Sequence, residues 1–189
     1  MKFNTILAVA TAAIVSFTST GAFAQSEKEK KQAEVRTKAE QTLADFFKAD
    51  PKLKAEVGKA AGYAVFTTYG LSFLIGGAGG KGLVHDNKTK KVTYMDLAQA
   101  SAGIQVGASD TRYLFVFKNE KELTSFINSG WEASASAAAG AGAGKAGDAN
   151  VGAGAGGFTG GGMYSLTKTG LQAGGAVAGT KVWKDKELN

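Results

Sequence analysis

Between Ala137 and Gly157 the chain reads AAAGAGAGKAGDANVGAGAGG. Alanine and glycine alternate, stop at a short polar break, and alternate again. A period of two is that of a β-strand, whose successive side chains point to opposite faces. Ala133, Ala135, Ala137, Ala139, Ala141 and Ala143 share one face of the first arm, and Ala149, Val151, Ala153 and Ala155 share one face of the second. Gly140, Gly142, Gly144, Gly152, Gly154 and Gly156 take the opposite face. The break, with Gly147-Asp148, suits a hairpin turn. A flexible linker has no reason to keep such parity. A strand with a bare glycine face lets another backbone approach closely. It also costs about 0.5–1 kcal/mol per Gly relative to Ala. Ladder hydrogen bonds within a curved sheet are the natural offset. Silk-like stacking between molecules ranks second, because aromatic strands nearby supply an ordinary core.

The first 24 residues read as a secretory leader. Lys2 gives a basic start, Ile6 to Phe17 is an apolar run too short to span a bilayer, and Ala22-Phe23-Ala24 is an A-x-A cleavage signal. No Cys follows to take a lipid anchor, and the chain has none at all. In an oxidising compartment, stability must then come from packing and sheet hydrogen bonds. A mature chain from Gln25 suits one domain. Loss of Lys2 leaves 21 basic and 16 acidic side chains. A positive balance favours anionic partners. For an exported protein these are a lipid surface or an envelope polymer, with no nucleic acid expected.

After the leader, residues 25–45 form a charged helical segment. Val35, Ala39, Leu43, Phe46 and Phe47 make one apolar stripe. Asp50-Pro51 restarts the chain as cap and first turn. Leu53, Val57 and Ala60 carry the stripe into a second helix, surrounded by Lys48, Lys52, Lys54 and Lys59. The ordinary use of such a stripe is to cover a core, and that reading is favoured. The sharper one is an amphipathic helix that dips into a membrane surface.

From Gly62 the pattern changes to strands bounded by glycine. GYAVFTTYG, LSFLIGGAGGKGLVHD and KVTYM come first, with DNKTKK as a polar turn. DLAQAS reads as one helical turn and AGIQVGAS as a strand. RYLFVFK is apolar on both faces, so it belongs inside the sheet. A helix follows, with Asn119 as N-cap, Glu122 three residues on, and Gly130 as its stop. GFTGGGMYSLTK, GLQAGGAVAG and TKVWK are strands again.

Motifs for chemistry are sparse. His85 stands alone at a turn, with no second ligand at metal spacing. No G-x-S-x-G elbow is present. Gly77, Gly79 and Gly82 match G-x-G-x-x-G, but a strand-like LVHD follows where a dinucleotide site needs a helix. Gly82 after Lys81 also fails the P-loop. DNKTKK lacks the acidic ligands of a calcium loop. No catalytic residue, metal ligand or cofactor is expected.

Five segments, in order, resemble SYLF domains. They are KAAGYAVF from Lys59, GGAGGKGLV from Gly76, QASAGIQVGAS from Gln99, YLFVFKNEKELTSF from Tyr113 and TKTGLQAGGAVAGTKV from Thr167. SYLF domains are a lipid-binding family that includes yeast actin-regulatory proteins. The resemblance runs from Phe46 to Asn189, so residues 46–189 are taken as a SYLF-like domain. Two departures stand out: Thr67 replaces the Pro that usually follows Phe66, and Leu74-Ile75 make the first glycine block more apolar. The resemblance implies phospholipid binding helped by an N-terminal amphipathic helix. On this chain that role falls to Phe46, Phe47, Leu53 and Val57 for insertion, and to Lys48, Lys52, Lys54 and Lys59 for phosphates.

The expected architecture is α+β: N-terminal helices packed on a strongly curved, barrel-like antiparallel β-sheet with Gly-rich strands. The expected function is non-enzymatic binding of anionic phospholipid membrane surfaces by an exported, periplasmic protein. The alternative is an assembly protein of the envelope, meeting envelope proteins through the Gly/Ala hairpin as an open edge. The oligomeric state is left open.

Overall fold

Strand parity sorts the apolar residues into two sets, and the computed structural model covers both. It describes residues 19–73, 77–100, 111–133, 158–167, 170–173 and 180–189. The strands are β1 (Gly62–Phe73), β2 (Gly77–Asp86), β3 (Val92–Ala100), β4 (Arg112–Phe117), β5 (Trp131–Glu132), β6 (Gly161–Thr167), β7 (Gly170–Ala173) and β8 (Thr180–Lys184). They form one sheet in the order β5-β8-β3-β2-β1-β4-β6-β7, with every neighbouring pair antiparallel. Among the described residues β5 and β7 do not pair, so the sheet is a curled half-barrel with two edges.

One contact measures the curl. Gln99 on β3 and Tyr113 on β4 are separated by β2 and β1. In a flat sheet three strand spacings are about 14 Å. Yet the Gln99 side-chain amide donates to the Tyr113 hydroxyl at 2.8 Å. Only a strongly concave face brings them together.

On that concave face Ala64, Phe66, Val84, Met95, Leu97, Tyr113, Phe115, Phe117, Met163 and Val182 form a core with Leu123 and Phe126. The last two belong to α3 (Glu120–Ser129). Its start and stop are as expected: Asn119 accepts from the Glu122 amide at 3.0 Å, and Gly130 ends it at φ +72°. On the other face Val65, Leu83, Tyr94, Leu114 and Val116 meet Val35, Ala39 and Phe46 of α1 (Ser19–Ala49), and Leu53 and Val57 of α2 (Lys52–Lys59). Both faces of β4 are buried, which confirms its place inside the sheet.

Two expectations need correction. Asp96 to Ala100 is strand rather than a helical turn, because β3 is paired on both sides, by β2 and β8. Two ladders outweigh a weak local preference. His85 lies in β2, stacked on Tyr63 with ring centroids 5.2 Å apart, rather than in a loop. Burial and the neighbouring Lys90 hold its pKa below the usual imidazole value. The division at residues 45 and 46 falls within α1, where Val35 and Ala39 share one core with Phe46. The α1 helix also runs through Ala22-Phe23-Ala24. The Gly/Ala hairpin at residues 134–157 lies outside the described residues, as does the strand expected over 102–109.

Candidate membrane-binding surface

The helix pair that carries the expected lipid site is held on the sheet by its apolar stripe. Phe46 is 0% exposed, Leu53 2% and Val57 6%, and Phe47 is partly buried against the same cluster. Phe46, Leu53 and Val57 belong to the core of the α1/α2 face and Phe47 packs against it, so the four are not a free apolar surface. The favoured use of the stripe, covering a core, is the one the fold adopts. Insertion by these side chains requires the helices to leave the sheet.

Polar ties reinforce the packing at intervals. The Thr42 and Thr67 hydroxyls meet at 2.9 Å. The Arg112 guanidinium reaches the Asp45 carboxylate at 2.6 Å. The Tyr164 hydroxyl donates to Glu56 at 2.7 Å. Burial, then the bond to Glu56 and its negative charge, push the Tyr164 phenol far above its ordinary value, so it stays a donor. Asp50 accepts from the Lys52 amide at 2.9 Å and fixes the corner between the helices.

The four expected lysines behave differently from the four apolar residues. Lys48, Lys52, Lys54 and Lys59 are all exposed. Lys52 and Lys59 stand at opposite ends of α2, about 10 Å apart at 1.5 Å per residue.

The β2–β3 turn extends this basic surface. The Asn87 side-chain amide donates to the Val57 and Ala60 carbonyls at 2.8 and 2.9 Å, which satisfies the open C-terminal end of α2. The Asn87 backbone amide bonds the Ala61 carbonyl, and the Ala61 amide bonds the Phe117 carbonyl, both at 3.0 Å. These bonds bring Lys88, Lys90, Lys91 and Lys118, all exposed, to the same end of the molecule as Lys59. Lys88 pairs with Glu120 at 2.7 Å, which raises its pKa, and Asp86 is used within the turn by the Lys88 and Thr89 amides. The reading from sequence missed these lysines. The charged DNKTKK turn was visible, but its docking on α2 depends on Asn87 finding two helix carbonyls across the fold.

Among the described residues no group of three or more His, Cys, Asp or Glu is placed to hold a metal, and no helix is long and apolar enough to cross a membrane.

Residues 98–189 match the family described as Ysc84, Las17-binding protein actin regulator. Beta cell expansion factor A of Aeromonas veronii is 31% identical over 154 residues, a span that covers 82% of this chain and 57% of that protein. The chain thus spans a little over half the length of this relative.

Proposed function

From the premise that residues 98–189 carry a Ysc84 (SYLF) domain, whose family supports a non-catalytic binding role, we propose that the protein binds anionic phospholipid surfaces through its basic helix end. The observation that carries this reading is the separation of exposures within one short stretch. Lys48, Lys52, Lys54 and Lys59 are free to meet phosphates while Phe46, Leu53 and Val57 are buried. First contact is therefore electrostatic, at about 1 kcal/mol per lysine near an anionic leaflet. Lys88, Lys90, Lys91 and Lys118 widen the contact. Apolar insertion is a second step, open only once the helix pair lifts. The leader-like character of residues 1–24 supports a periplasmic face of the envelope as the setting for this activity.

The test is co-sedimentation of the chain from Gln25 with vesicles, anionic against zwitterionic, at low and high salt. Binding to anionic vesicles should fall as salt rises, because exposed charges are screened within about 10 Å at 0.1 M. The double variant Lys48→Glu, Lys52→Glu should lose most of it while keeping its melting temperature. Unchanged binding by that folded variant would remove the site. Salt-independent binding to both lipids would replace surface docking with apolar insertion. Binding to neither would put the envelope assembly reading first.

A further inference from the structure

On the face of the sheet that α1 partly covers, three neighbouring strands carry a row of unlike side chains. Lys81 on β2 is the register partner of Asp96 on β3, and Asp96 is the partner of Trp183 on β8. Parity puts all three on the face of Leu83 and Tyr94. Trp183 is 39% exposed and is the one large hydrophobic residue left exposed among the described residues. The adjacent row on the same face is Gly79, Ala98 and Lys181. A Cβ added at Gly79 would meet nothing within 4 Å, so the position two residues from Lys81 on the same face is open.

Lys81, Asp96 and Trp183 border a cavity of about 440 Å³, completed by Asp185 and by residues 184, 186 and 187. That volume lies within the roughly 300–1,000 Å³ usual for small-molecule clefts. Its floor is fixed. The Lys81 ammonium bonds Asp96 Oδ1 at 2.7 Å and Asp185 Oδ2 at 2.6 Å, and Asp185 is only 2% exposed. The other Asp185 oxygen accepts the Glu187 and Leu188 amides at 2.8 and 3.0 Å. Two of the three Lys81 N–H groups are thereby used. The third, and the second oxygen of Asp96, have no partner among the described residues. The platform thus offers a donor and an acceptor side by side, next to an indole face.

Charge narrows the ligand class. The cavity lining holds three lysines and three carboxylates, so it offers no net attraction to an anion or a cation. A purely apolar ligand would leave the Lys81–Asp96 pair facing it without a match. A pyranose suits all three groups. Its C–H face packs on an exposed indole, and adjacent hydroxyls can donate to a carboxylate while accepting from an ammonium. We propose that Lys81, Asp96 and Trp183 form a binding site for a neutral saccharide, with Gly79 leaving room for the ring.

The site is separate from the lysines of α2, so it can be tested independently of lipid binding. The measurement is a ¹H–¹⁵N titration of the folded chain, following its two indole N–H signals. The probes are chitotriose and cellotriose, with glycerol 3-phosphate and inorganic phosphate as further arms. A neutral sugar should shift the Trp183 signal saturably, at about millimolar Kd, and leave that of Trp131 in place. Trp183→Ala should abolish the binding. Gly79→Val, whose Cβ enters open space, should weaken it roughly tenfold or more with the melting temperature retained. Neither variant should change vesicle binding. A Trp183 signal that moves only with the phosphate probes would overturn the proposal in favour of a headgroup site. No shift with either sugar at about 50 mM, far above the expected range, would end it, and so would full binding by folded Gly79→Val.

Discussion

On the concave face of the sheet, Phe66, Phe115, Phe117, Phe126, Trp131 and Phe158 form a continuous network of ring contacts at the centre of the core, at centroid distances from 5.0 to 6.4 Å. On the other face two helices close it with a thinner apolar stripe, and they need polar ties to stay in place: Thr42–Thr67, Asp45–Arg112, Glu56–Tyr164 and Asn87 on α2. The ring face even carries a buried Trp131 indole N–H with no hydrogen-bond partner among the described residues. Such an orphan costs about 1–3 kcal/mol, and edge-to-face contacts with Phe115 and Phe158 offset it. The contrast teaches which side can open. The ring network ties β1, β4, α3 and Phe158 together through shared contacts, so its parts are expected to give way together. The helix face is a sum of separable contacts, and it is the face that carries the exposed lysines.

Substitutions that remove one contact from each face put this contrast at risk. Phe115→Ala should have the largest effect, about 3–5 kcal/mol, seen as a drop in the whole unfolding transition. Leu53→Ala should cost less, about 2–3 kcal/mol, and hydrogen exchange should show the loss concentrated in α1 and α2 with the strands still protected. Equal spreading of exchange over both faces would erase the distinction. Tyr164→Phe removes only the bond to Glu56 and should cost about 1 kcal/mol. It should also make helix lifting, and hence vesicle insertion, easier.

The smallest effect at neutral pH concerns the end of the chain beyond β8. Burial raises the Asp185 pKa, but bonds from Lys81 and from the Leu188 and Glu187 amides lower it more, so its folded value is depressed. A depressed carboxylate contributes stability that is present above its unfolded value and lost as pH falls through the folded one. Melting temperature should therefore be insensitive to this group between pH 7 and about pH 5 and decline below about pH 4. Exchange should rise first in residues 185–189 and in the part of α1 that they hold. Gln32 bonds the Leu188 carbonyl at 2.7 Å and Lys28 the Asn189 carbonyl at 2.9 Å, so the two segments should loosen together.

Much of this was legible along the chain. β-Branched and aromatic residues between glycines in GYAVFTTYG and the continuous apolar run of RYLFVFK marked strands, and Asn119 and Gly130 marked the limits of α3, because each signal acts within a few residues of itself. The helical stripe from Val35 to Val57 was also plain. Its use was less so, since periodicity is the same for a helix that covers a core and one that lies in a membrane. DLAQAS misled because its composition suits a helical turn, while two paired neighbours decide its state.

The sequence alone determined most of the local alphabet of this protein: which segments other than Asp96 to Ala100 are helix or strand, which face of each is apolar, and the basic balance that favours anionic partners. Tertiary structure alone decided which distant residues share a surface. Lys81, Asp96 and Trp183 lie far apart along the chain and form one row because β2, β3 and β8 are neighbours in the sheet. Lys59 meets the lysines of the β2–β3 turn because Asn87 caps α2. Phe46 and Lys48 are two residues apart and face opposite environments only because a sheet is there to cover one of them. Local propensity is set by neighbours in the chain, whereas exposure and site geometry are set by whatever the rest of the fold places across the gap.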